Sequence, residues 1–174
     1  MKRILILHFF ILVISCATNS RIEESESLAN QLNNTKYKLT LRDDWHPFLD
    51  IHGELSYKPK QYSNEYPDVY ISIGNIPTTR HQNMPLGKVV DRITTPIDYH
   101  ENYSIKKTFI QTKFGETYVV DEQFRLNSKN YITRTMYFKH SEEYLSYHYG
   151  ASARSFNKYI DDYASIFESL EFKE

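Results

Sequence analysis

The second half of the chain changes period once, and that change limits the folds it can adopt. From Ser104 to Tyr149, apolar and polar residues alternate in four runs: Ser104 to Phe114, Glu116 to Leu126, Tyr131 to Lys139 and Tyr144 to Tyr149. Alternation with a period of two is the mark of a strand with one face turned to a core. Gly115, the Asn127-Ser128-Lys129-Asn130 stretch and Ser141-Glu142 stand between the runs as turns. From Ala151 to Leu170 the period becomes that of a helix, with Phe156, Ile160, Tyr163 and Phe167 on one stripe and Ser152 as candidate N-cap. Strands joined by such short turns must pair antiparallel. The expected product is an α+β domain, an antiparallel β-sheet with flanking helices.

The first half agrees with this reading. Tyr37 to Leu41 and Val69 to Ile73 alternate as strands, and Phe48 to Tyr57 reads as extended. Asp43-Asp44-Trp45-His46-Pro47 reads as a turn, and Lys58 to Pro67 and Pro77 to Pro85 as loops. Leu86, Val89, Val90 and Ile93 have helical spacing. Leu170-Glu171-Phe172 reads as a closing edge strand. With 15 Tyr and 10 Phe against 5 Gly, a strand-rich core of large aromatic side chains is expected.

At the N-terminus, Lys2 and Arg3 precede an apolar run from Ile4 to Ile14 that ends in Val13-Ile14-Ser15-Cys16. The run is shorter than the roughly 20 residues a membrane span needs, and suits the apolar region of a signal peptide. An aliphatic residue, a small residue and then Cys reads as a lipobox. Residues 1–15 are then a signal peptide, cleaved between Ser15 and Cys16, and the Cys16 thiol is lipidated. An ordinary secretory signal that happens to contain a Cys is the alternative. Cys16 is the single cysteine of the chain. In an exported protein it has no partner for an internal disulfide, and lipidation accounts for its presence. Residues 16–35 are polar and expected to be a flexible tether, although Ile22, Leu28 and Leu32 would line one face of a weak helix. The globular domain is expected over 36–174.

Without Lys2 and Arg3, 19 basic residues stand against 22 acidic ones. No basic excess points to nucleic acid, and nothing in the pattern calls for a cofactor. Residues Ala17 to Ser20 place no Asp second and no acidic cluster after Cys16. In bacteria that sort lipoproteins by that position, this implies the outer membrane, facing the periplasm.

Three segments resemble the PsbP-like superfamily, which includes bacterial DcrB-like lipoproteins, the PsbP proteins of photosystem II and a Ran-binding nuclear transport factor. They are Leu39 to Trp45 with its DDW, Val69 to Ile93, and EYLSYHYGASARSFNKYIDDYASIFESLEF over Glu143 to Phe172. At the first turn the chain departs from that pattern, carrying Asp43, Asp44 and His46 where Pro and Gly are common. The resemblance implies an α/β/α sandwich around an antiparallel sheet and a binding, assembly or adaptor role. It carries over no catalytic motif.

Few residues suggest chemistry. Asp43, Asp44, His46, Asp50 and His52 form the densest group of metal-ligand types, with Asp44, His46 and His52 as candidates; the alternative is a turn followed by a solvated strand face. His81, His100, Glu101 and Tyr103 fall in loops, where a His–carboxylate pair would suit acid–base work. Tyr57, Tyr62, Tyr66 and Tyr70 are the candidate binding surface, with Tyr144, Tyr147 and Tyr149 as a second cluster; covering the sheet is the alternative for both. Lys58, Lys60, Lys106, Lys107 and Lys113 are expected to be solvated. The leading expectation is a non-enzymatic, lipid-anchored binding or assembly module of the cell envelope. An immunity or adaptor protein for a secreted effector, and a metal-binding protein or hydrolase using Asp44, His46 and His52, are the alternatives.

Overall fold

A computed structural model describes residues 25–62, 67–77, 83–94 and 101–173. Seven antiparallel strands form one sheet: β2 (Trp45–Leu49), β3 (Leu55–Pro59), β4 (Val69–Ile76), β5 (Glu101–Thr112), β6 (Gly115–Leu126), β7 (Lys129–His140) and β8 (Glu143–Ser152). Their order across the sheet is β2-β3-β4-β8-β7-β6-β5. The chain crosses from β4 through helix α2 (Leu86–Ile93) to the far edge and returns as a meander that ends against β4. A second ribbon pairs β1 (Tyr37–Lys38) with β9 (Glu171–Phe172), which follows helix α3 (Phe156–Glu168).

The expected hairpins and the α+β class are present. Asn127 and Ser128 both have positive φ, 49° and 65°. That is the two-residue turn whose twist matches the flanking strands, and it sets Phe124 opposite Tyr131. Several boundaries differ from the sequence reading. The Asp43–Asp44 turn is followed at once by β2, which includes Trp45, His46 and Pro47. Pro47 is tolerated because β2 is the outermost strand, where an N–H can be missing from the ladder. β8 runs on to Ser152, so α3 starts at Phe156 and its N-cap position is Ser155. Residues 25–34, expected as tether, form helix α1; Leu28 and Leu32, four apart, pack it on the core.

Sheet parity sorts the side chains into two faces. On one lie Tyr57, Ile71, Phe138, Leu145, Tyr147 and Tyr149, beneath α3. The Tyr147 hydroxyl donates to the Tyr163 carbonyl (2.9 Å) and the Tyr149 hydroxyl to the Phe156 carbonyl (2.8 Å). Burying these hydroxyls is tolerable because each finds an acceptor on the helix. On the opposite face α2 covers only one end, where Leu86, Val89 and Val90 pack on Ile76, Val120 and Tyr144. The other end of that face carries a cleft.

A cleft on the half-covered face

The cleft has a volume of about 430 Å³. Its outer wall is the β2–β3 hairpin, with Phe48, Asp50, Ile51 and His52. The opposite wall comes from the β6–β7 hairpin, with Phe124, Leu126, Lys129 and Tyr131; the Phe124 and Tyr131 rings are stacked at 5.7 Å. Pro67, Asp68 and Tyr70 from the start of β4 complete it, over a floor of Thr133 and Gly150. A small residue is required at 150, since a Cβ there would stand 2.6 Å from the Tyr70 ring.

A line of satisfied polar groups runs from the cleft floor toward α2. The Tyr70 hydroxyl lies 3.1 Å from His148 Nε2, and His148 Nδ1 lies 2.8 Å from Thr135 Oγ1. The Thr135 side chain also interacts with Tyr137. A neutral imidazole, with one protonated and one bare ring nitrogen, donates to one of these neighbours and accepts from the other. Burial drives the His148 pKa down to about 4, against a smaller upward pull from Glu122. Burial raises Tyr137 to about 12, with Glu122 adding to it. Beside this row Glu122 accepts from Thr133 (3.2 Å) and from Tyr103.

His148 makes the fold sensitive to acid. Unfolded histidine binds its proton near pH 6.5, whereas folded His148 resists until about pH 4. Between these values the unfolded chain holds the extra proton, so stability is full above pH 6.5 and falls as the pH drops toward 4. The expected loss across this window is up to about 3 kcal/mol at 1.36 kcal/mol per pKa unit. Urea unfolding at pH 7, 5.5 and 4.5 should show a steeper decline in the native chain than in His148→Gln; parallel declines would refute the assignment.

The sequence candidates are dispersed. Tyr57 lies in the core on the opposite face, only 4 % exposed and hydrogen-bonded to Tyr37; burial raises its pKa far above the ordinary value. Tyr62 is half-buried by α3, its ring edge-on to Tyr159 at 6.4 Å. Tyr66 lies outside the described residues, as do Cys16, Ser15, His81 and His100. Of the three described tyrosines of that surface, Tyr70 lines the cleft. Tyr144, Tyr147 and Tyr149 are core residues, which is the alternative reading of that second cluster.

Asp44, His46 and His52 are not gathered either. Asp44 sits 3.5 Å from Arg42 Nε. His46 faces Lys58 across the strand pair, and burial first, then Lys58 and Lys60, lower its pKa. His52 stands in the hairpin turn, its N–H donating to Asp50 Oδ1 (2.8 Å), which also accepts from the Glu54 N–H. Asp43 is exposed in its turn. Among the described residues no group of three or more His, Cys, Asp or Glu converges. Glu101 pairs loosely with Arg125 at 3.9 Å. Lys58 departs from the expected solvated state: it is 6 % exposed, with its ammonium 4.5 Å above the Phe48 ring. Lys107 pairs with Asp91 at 3.0 Å, and Lys113 donates to the Glu168 carbonyl. Phe48, Ile51, Phe124, Tyr131 and Thr133 were not singled out from sequence. Only the Phe124–Tyr131 pair had a signal, the Asn127-Ser128 turn that sets its register.

The seven-stranded antiparallel sheet, with α3 across one face and α2 over one end of the other, is the arrangement that the comparisons address. No family model matches the chain, and no curated protein matches it. Solved structures do. LpqN, involved in cell envelope biogenesis of Mycobacterium tuberculosis, superposes with a TM-score of 0.52 at 12 % identity, over 79 % of this chain and 83 % of that one. The cyanobacterial PsbP of Synechocystis gives 0.53 at 8 % identity, over 79 % and 87 %. A Pseudomonas aeruginosa protein of unknown function, described as a putative regulator, gives 0.51 at 8 %, over 80 % and 99 %. At such identities the likeness is one of fold, and fold alone does not assign function.

Proposed function

We propose that this chain is a lipid-anchored cell-envelope protein that acts as a non-enzymatic binding module, with the half-covered face as its binding surface. The cleft carries the reading: an aromatic-walled concavity of about 430 Å³ falls in the range of small-ligand sites. The polar groups beside it support binding rather than catalysis. His148 is enclosed between Tyr70 and Thr135, and Glu122 is occupied by Thr133 and Tyr103. The solved envelope protein of the same fold is in keeping with an envelope setting. Lipidation of Cys16, after cleavage behind Ser15, supplies the anchor, and Ala17 as second mature residue favours the outer membrane, facing the periplasm. Two or three acyl chains hold a protein where a single one is marginal.

Fractionation of producing cells tests the anchor. The native chain is expected in the membrane fraction and Cys16→Ser in the soluble one or as an uncleaved precursor. A cleaved Cys16→Ser chain that stays on the membrane through high-salt washing would overturn the anchored reading.

A further inference from the structure

The cleft shares a wall with the tethered end of the chain. The β2–β3 hairpin that forms its outer side also receives α1: Gln31 donates to the Gly53 carbonyl. On the anchored reading, on which this inference rests, nine peptide steps separate Cys16 from Ser25, a reach of about 30 Å at most. The hairpin and the cleft mouth then stay near the bilayer surface.

We infer that the cleft takes the alkyl chain of an amphiphile drawn from that membrane. Among the described residues, nine of the fourteen that line it are apolar, aromatic or glycine. Ile51, 54 % exposed, forms an apolar lip at the mouth. Asp50, Asp68 and Lys129 carry the charges of the lining and would face a head group, and Thr133 and Tyr70 within it already have partners. Beside these charges the described lining offers mainly apolar area, which suits an alkyl chain.

The protein to titrate is the chain from residue 16 onward with Cys16→Ser. It bears no lipid and contains every residue of both cores. Hexyl, heptyl, octyl and nonyl glucoside, each below its micelle threshold, are the probes, followed by NMR shifts of Thr133 and Gly150. Affinity should rise about fourfold per methylene, from ~0.8 kcal/mol per buried CH₂, until the cleft is filled. Ile51→Ser should weaken every member of the series, and Leu126→Asp should abolish binding; Ile51→Ser on the exposed turn keeps the test valid if Leu126→Asp fails to fold. Equal affinity for all four glucosides, or binding of glucose alone as strongly, would overturn the inference. If that happens while Cys16→Ser still leaves the membrane, only the alkyl occupant is lost and the anchored module stands. If a cleaved Cys16→Ser chain stays on the membrane, the anchored reading falls, and the membrane source of the amphiphile falls with it.

Discussion

Phe138→Ala should lower the unfolding free energy by about 3–5 kcal/mol, the cost of an aromatic-to-alanine change in a packed core. Phe138 is completely buried on β7. Its ring stacks on Phe114 at 4.7 Å and meets Phe167 of α3 edge-on at 5.8 Å, with Phe172 of β9 at 6.4 Å. One ring therefore ties the sheet to the helix above it and to the β1–β9 ribbon. A cavity there removes contacts from three elements that cannot all close in, because each is held elsewhere by its own backbone ladder. Denaturant unfolding at pH 7 measures the loss, and Phe109→Ala is the matched control. Phe109 is 52 % exposed on edge strand β5 and touches Tyr118 at 5.5 Å, so about 1 kcal/mol or less is expected for it. Equal losses at the two sites would show that the α3-side core does not hold the fold.

Asp162→Ala should cost about 2–4 kcal/mol, for a different reason. Asp162 is a carboxylate on α3 only 7 % exposed. It accepts from the Trp45 indole N–H (3.0 Å) and from Arg42 (2.8 Å). Alanine leaves a buried indole N–H without an acceptor, and such a group loses its full hydration with no return. Arg42 is largely solvated, so its charge contributes little by itself; its role is to pin the 36–42 segment across α3. Asp162→Asn keeps an acceptor for Trp45 and should cost roughly half as much. Trp45 is the chain's one tryptophan, so its emission reports the site directly and should move to the red in the alanine variant. An asparagine variant as unstable as the alanine one would make charge, not the indole hydrogen bond, the source of the effect.

Much of the fold was legible because long alternating runs leave little choice. The four runs from residue 104 onward, separated by short turns, can only form a meander, and the parity of Tyr118, Val120, Phe124 and Leu126 on one face follows from the pleat. The binding surface was less legible. Tyr57 and Tyr70 look alike in sequence, but β3 turns Tyr57 toward α3 while β4 turns Tyr70 to the half-covered face. In a sheet covered on both sides, alternation loses its contrast, since residues of both parities are apolar. Lys58 shows the same limit: it looks like a solvated cation and is instead enclosed over Phe48. Helix α1 was visible only as a faint stripe, because Leu28 and Leu32 are the only two large apolar residues of its described part. Leu28 and Leu32 hold it against a core assembled from distant strands.

Local pattern by itself determined the class of fold, the hairpins, α2 and α3, since each is written in neighbouring residues. Tertiary structure alone decided that α2 covers just one end of its face and that the other end becomes a cleft. It also decided that His148 sits neutral between Tyr70 and Thr135. Those outcomes depend on which strands lie side by side, β4 beside β8 and β8 beside β7. Thr135 meets His148 through the β7–β8 hairpin, but Tyr70 lies 78 positions from His148, and no local periodicity encodes that meeting.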